Sequence, residues 1–186
     1  MDDDAVLGAE LAAVVAGARR RALRDGDRQI DTAHLLHSLL EHDPEVRAAV
    51  GAPARLARLL GYLVQRSIGY GLRWQGSVED SGALAVVTAP TVPGVRDAPD
   101  ASGARDARDI PAWSPAATAA VADAHERARQ RGEPRPAGTD LLAALTADPG
   151  SRAVEVLERA GIPAHALGTR IESGPEEYAG ESGVNC

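Results

Sequence analysis

Ala18-Arg-Arg-Arg-Ala22-Leu-Arg-Asp-Gly26 returns later in the chain as Ala124-His-Glu-Arg-Ala128-Arg-Gln-Arg-Gly132. Alanine matches at the first and fifth places, arginine at the fourth (Arg21 and Arg127) and glycine at the ninth. Alanines four apart share one face of a helix, and a glycine after them is a natural helix stop. At the same offset His34-Leu35-Leu36 falls on Asp140-Leu141-Leu142, and Leu39 falls on Leu145. One residue out of step, Asp43-Pro44 falls on Asp148-Pro149. Small inner residues, a double leucine and an Asp-Pro break recurring together predict two copies of one helical unit. Each copy is too small to bury its own apolar face, and pairing the copies buries both.

The flanking sequence fills in each copy. Leu7, Leu11, Val14, Val15, Ala18 and Ala22 recur at helical spacing behind Asp2, Asp3 and Asp4, which complement the helix dipole. Asp31-Thr32 reads as an N-cap, followed by Leu35, Leu36, Leu39 and Leu40. Asp43-Pro44 ends that helix and begins a third, running through Val46 and Val50 to Gly51. Pro53 suits the first position of a fourth helix, whose apolar positions are Leu56, Leu59, Leu60, Leu63 and Val64. In the second copy Ser114-Pro115 is a cap followed by an N1 proline, and Val121, Ala124 and Ala128 form the inner stripe. Gly138-Thr139 or Asp140 opens the next helix, Asp148-Pro149 breaks it, and Val154, Val156 and Leu157 follow. Gly161-Ile162-Pro163 leads into a last helix through Leu167 and Ile171.

The expected fold is therefore all-α. Two pseudo-repeated four-helix units occupy residues 1–66 and 111–173, with a long, partly irregular inter-repeat segment at 67–110 and a flexible C-terminal tail at 174–186. Within the segment, Leu72–Val78 and Ala83–Thr88 read as a short β-hairpin. Residues 90–111, rich in Pro, Ala, Asp and Gly, read as a linker.

Composition agrees with helices and removes several function classes. Hydrophobic residues make up 44% but aromatics only 3%, with no Phe, so the core must be Ala, Leu, Val and Ile. All 20 basic residues are Arg. Without lysine there is neither a Schiff-base lysine nor a P-loop. A net charge of −7 argues against a nucleic-acid partner, whose backbone is held by basic side chains. The basic turn Arg19-Arg20-Arg21 with Arg24 reads as a solvated helix face. Cys186 is the single cysteine, which rules out an internal disulfide and a cysteine metal cluster. The acidic N-terminus lacks the pattern of a secretory leader, and no apolar run is long enough to span a bilayer, so a cytoplasmic location is expected.

Thr32-Ala33-His34-Leu35-Leu36 resembles the Thr-Glu-His-Leu-Leu motif of the Clp N-terminal repeat (Clp R) family, matching at four of five places. Gly138-Thr139-Asp140-Leu141-Leu142 is a second, weaker copy. Ile110-Pro111-Ala112-Trp113-Ser114-Pro115 is similar to the family's lead-in to its second repeat. The likeness covers about Val6–Gln65 and Ile110–Glu172. It implies a domain that docks adaptors and substrates for Clp-type unfoldases. In some members it binds phosphoarginine, and in some it is the target of cyclic-peptide antibiotics. The AAA+ ATPase modules that follow it in the family are not in this sequence, so a stand-alone member that binds and does not catalyse is expected. The expected partner is a Clp ATPase, its substrates or adaptors, or a cyclic-peptide ligand. In phosphoarginine-binding members the motif's Glu contacts the guanidinium group; Ala33 stands there in the first copy. Thr139 or Asp140 falls near that place in the second, with Ser114 at the matching helix-start hydroxyl.

The candidate partner-binding residues are thus Thr32, Ser114, Thr139 and Asp140, together with Trp74 and Trp113, which flank the inter-repeat segment. Exposed tryptophan favours binding hot spots, although in a chain without Phe it more often plugs the core. His34, His37 and His42 have spacing compatible with a metal, but no carboxylate or thiol in the sequence completes an obvious set. No metal, cofactor or catalytic residue is expected, and no Gly-x-Ser-x-Gly elbow supports a hydrolase. Cys186, ending a Gly/Ser/Glu-rich tail, suggests a modification point. That supports a second reading, a carrier or scaffold whose tail a partner enzyme modifies.

Overall fold

The structure, a computed structural model, describes residues 4–67, 79 and 111–174. These residues form eight α-helices in two sets of four, as the repeat predicts. The first set is α1 (Asp4–Asp25), α2 (Thr32–His42), α3 (Pro44–Val50) and α4 (Pro53–Ser67). The second is α5 (Pro115–Gln130), α6 (Gly138–Ala147), α7 (Arg152–Arg159) and α8 (Ala164–Glu172). No helix among the described residues is long and apolar enough to cross a membrane. Most residues of the inter-repeat segment, including the two strands of the expected hairpin, lie outside the described residues. So do Trp74 and Cys186.

Side-chain caps set the boundaries. Asp31 accepts from the backbone of His34, Asp43 from Glu45 and Val46, Ser114 from Ala117, and Ser151 from Val154. Each satisfies an amide that the first turn leaves without an intrahelical partner. Neither α6 nor α8, which follows Pro163, has such a cap, and α6 is informative. Ala137, before α6, has no side chain to cap with, and Asp140 reaches back instead to accept the Ala137 amide at 2.8 Å. In α2 the residue that folds back onto its N-cap is His34, whose Nδ1 lies 3.2 Å from the Asp31 amide. Asp140 therefore stands where His34 stands, and Thr139 stands where Ala33 stands.

A two-stranded sheet joins the sets. In it β1 (Gln29–Ile30) runs parallel to β2 (Ala112–Trp113), with Gln29 opposite Ala112 and Ile30 opposite Trp113. Ser114 donates its amide to Ile30 O at 2.9 Å, extending the pairing to the start of α5. Strands of two residues have no readable period, which is why the sequence does not predict this pair.

The hydrophobic core is one cluster. Val14, Ala18 and Ala22 of α1 and Leu35, Leu36 and Leu39 of α2 belong to the same cluster as Ala124 of α5, Leu141, Leu142 and Leu145 of α6, and Leu157 of α7. With so few aromatic side chains, helices approach closely over small residues. A Cβ at Gly17 would strike Ser38 Oγ on α2, and one at Gly168 would lie 2.6 Å from Thr146 Oγ1 on α6. Side chains bridge the sets as well: Arg170 of α8 donates to the carbonyl of Ala49 in α3.

Candidate functional site

Thr32 and Ser114, far apart in sequence, meet at one buried carboxylate. Glu79 is 4% exposed and sits against the starts of three helices. The amide of Thr32, first residue of α2, donates to Oε2 at 2.9 Å. The amide of Arg152, first residue of α7, donates to Oε1 at 2.7 Å. The Ser114 hydroxyl, cap of α5, donates to Oε2 at 2.8 Å, and the Thr32 hydroxyl donates to Oε1. Both hydroxyls also accept: Ser114 Oγ takes the Ala117 amide and Thr32 Oγ1 takes the Ala153 amide. Helix N-termini carry partial positive charge and orphan amides, which is why an anion is stable there. Here the anion comes from the chain itself. The two hydroxyls named from the sequence are thus interior groups that hold Glu79.

Thr139 and Asp140 lie elsewhere, on an open cleft of about 760 Å³. Arg127, Arg131, Arg135 and Ile171 line the same cleft. Arg131 places both terminal nitrogens on the two oxygens of Asp140, and these bonds raise its already high pKa. Arg127 contacts Asp123 at 2.9 Å and Glu172 at 2.7 Å. Partial burial works to lower the Arg127 pKa, and the two carboxylates outweigh it. Arg135 lies across Gly8, where α1 kinks with φ of 72°. The rim is therefore rich in guanidinium groups, two of which rest on acids of the chain. Trp113 is half-buried and packs against the core, so its ring plugs the interface at β2.

The α2 histidines have separate surroundings. His42 Nδ1 is 2.8 Å from the carbonyl of Ser38. His37 is buried, with its pKa lowered to about 4, chiefly by burial and then by Arg21; Glu41, 3.8 Å from Nε2, opposes the shift. Spacing along α2 offers His34 no carboxylate, whereas the fold brings Asp25 and Asp27 to it from the end of α1.

Asp31 and Arg152 complete the interior. Arg152 NH1 lies 2.6 Å from Asp31 Oδ2, and both side chains are buried. Asp31 is legible as a cap, but nothing in the sequence marks Glu79 or Arg152. Each acts through partners at least 35 residues away.

No protein-family model and no curated protein matches the chain. Solved structures do. The crystal structure of the N-terminal domain of the caseinolytic protease associated chaperone ClpD from Arabidopsis thaliana aligns over 92% of this chain and 96% of that one. Its TM-score is 0.59 at 16% sequence identity. The chain has a Clp N-like fold. A structure from preliminary investigations of a malarial protein secretion system is similar to the same extent. It has a TM-score of 0.59 and 13% identity, covering 90% of this chain and 93% of that one. At these identities the likeness concerns the fold. It also accounts for the repeat: the Clp N-like arrangement spans both four-helix sets, so what aligns is the pair.

Proposed function

We propose that this chain is a non-catalytic protein- or peptide-binding module of the Clp N type. It works by docking partners of Clp-dependent proteolysis or by sequestering ligands directed to it. The observation that carries this reading is the shared fold with the ClpD N-terminal domain over nearly the full length of both chains. Catalysis is not part of the proposal: the Thr32 and Ser114 hydroxyls are engaged with Glu79 inside the protein. The partner class we favour is a Clp ATPase, an adaptor or a substrate segment, met in the cytoplasm.

The surface best suited to contact is the arginine-lined cleft of the second unit. Guanidinium groups recognise carboxylates and phosphates through paired N–H donors. An acidic segment of a partner would exchange places with Asp140 or Glu172 on Arg131 or Arg127. A phosphoarginine site of the kind found in the family this chain resembles is not supported. Ala33 replaces the motif's Glu in one copy, Thr139 does so in the other, and Ser114 faces Glu79.

The test is binding to purified components. Immobilised protein is challenged with a Clp unfoldase, its adaptors and acidic degradation-tag peptides, and affinity is measured by calorimetry. Binding that weakens at least tenfold in Arg127→Ala/Arg131→Ala supports the module and its surface. Absence of binding to every Clp component and peptide refutes the reading.

A further inference from the structure

The turn after α1 brings two carboxylates onto the ring of His34. Gly26 takes φ of 73°, and the Asp27 amide bonds to Ala22 O at 2.9 Å, closing the helix in a left-handed turn. Asp25 and Asp27, on either side of that glycine, then face the first turn of α2. Asp27 Oδ2 lies 3.2 Å from His34 Nε2, and Asp25 Oδ2 lies 3.9 Å from it. The three ligand atoms all lie within 4.8 Å of one another. The His34 side chain is 1% exposed and that of Asp25 7%. Asp25 Oδ2 is buried and has no hydrogen-bond partner among the described residues. A carboxylate oxygen in that position lacks the donors that ordinarily compensate loss of water.

The other ring nitrogen decides what kind of group His34 presents. Nδ1 is 2.8 Å from Asp31 Oδ1, closer than its 3.2 Å to the Asp31 amide. In the structure the Asp31 amide donates to Nδ1; a cation on Nε2 calls for the other tautomer, whose Nδ1–H donates instead to Asp31 Oδ1, an acid that Arg152 in turn holds. With that proton on Nδ1, Nε2 offers a lone pair towards two carboxylates. A carboxylate on one imidazole nitrogen and a cation on the other is the arrangement that orients histidine as a metal ligand.

We propose that Asp25, Asp27 and His34 form a site for a divalent transition-metal ion, Zn²⁺ by preference, that pins the end of α1 to the start of α2. One imidazole nitrogen and two carboxylate oxygens suit Zn²⁺ better than Ca²⁺ or Mg²⁺, which favour all-oxygen shells. Tetrahedral ligation at about 2.1 Å sets ligand atoms about 3.4 Å apart, between the 3.2 and 3.9 Å seen here. The Asp27 side chain, 33% exposed, gives the ion a route in and a water a place in the fourth position.

The experiment uses the full-length protein freed of metal by a chelator and titrated with Zn²⁺ alone by calorimetry. Co²⁺ is added in parallel and read by its visible absorption. Imidazole nitrogen resonances are followed by NMR. The expected result is one equivalent of Zn²⁺, a raised melting temperature, a four-coordinate Co²⁺ spectrum and a shift of His34 Nε2. Asp25→Asn and Asp27→Asn should each lower the affinity at least tenfold, with the metal-free melting temperature unchanged or raised, because each removes a negative charge from the cluster. Loss of folding in either variant leaves the wild-type NMR shift as the deciding measurement. No uptake of Zn²⁺, or uptake that survives both substitutions and leaves His34 Nε2 unshifted, overturns the proposal.

Discussion

The Arg152 guanidinium lies 2.6 Å from the carboxylate of Asp31, so the first residue of α7 holds the cap of α2. Both side chains are at most 9% exposed, so water compensates little of either charge. Removing one member of a buried ion pair strands the other and costs about 3–5 kcal/mol. Arg152→Met is expected to destabilise the protein by that amount. Asp31→Asn/Arg152→Met should recover part of it, because the neutral amide still caps α2. Urea unfolding of the parent, Arg152→Met, Asp31→Asn and the double variant checks this; additive single-mutant costs would show that the pair is not coupled.

Glu79 carries a second prediction. Each of its oxygens accepts one backbone amide: Oε1 that of Arg152, Oε2 that of Thr32. Glu79→Gln keeps the shape, but either orientation of its amide turns an NH₂ group towards a backbone N–H. The cost is expected at about 2–4 kcal/mol, from one stranded amide and weakened hydroxyl bonds. Thermal and urea denaturation measure it. A Gln variant as stable as the parent would mean that Glu79 is not held as described.

Stability should depend on the protonation of His37. Its folded pKa, about 4, lies below the ordinary value of 6.5, chiefly through burial and then Arg21, with Arg24 adding to the shift and Glu41 and Asp25 opposing it. Between these values the unfolded chain binds the proton and the folded one does not. This contribution is therefore complete above about pH 6.5 and is lost as pH falls towards 4. Its full size is on the order of 3 kcal/mol. His37→Leu should flatten that part of the stability–pH curve, as read from urea midpoints at pH 4, 5, 6 and 7.

Gly17 tests the close approach of α1 to α2. Gly17→Ala brings a Cβ against Ser38 Oγ, with His42 Cε1 at 3.2 Å. Alanine's better helix propensity, worth about 1 kcal/mol, opposes an overpacking cost of about 1–3 kcal/mol. Net destabilisation is expected, and Ser38→Ala in the same chain should relieve part of it. A melting temperature that rises in Gly17→Ala would show that the helices shift apart freely.

Much of this architecture is legible in local sequence because its signals are local. Asp31, Asp43 and Ser114 cap within three residues, and the leucines of α2 and α6 recur with the helix. The β1–β2 pairing is not legible, since two residues carry no period. Neither is the Glu79 junction, where one acid meets donors from α2, α5 and α7. Thr32 and Ser114 are found from their helix starts, but that they turn inward to Glu79 follows only from the packing. The register of the second motif illustrates the same limit. Thr139 and Asp140 both fit by spelling, and the bond from the Ala137 amide to Asp140 assigns the position. At His34, spacing directs attention along α2, while its carboxylates arrive from across the turn at Gly26.

The continuous core has a consequence for how the chain is assembled. The two four-helix sets relate to each other as the subunits of a dimer do, with an interface of leucine and alanine and buried charge at its centre. Covalent connection sets a high effective concentration of one half for the other. Fragments 1–66 and 67–186, each incompletely folded by itself, should recombine on mixing into one complex. What the duplication supplies is a built-in partner.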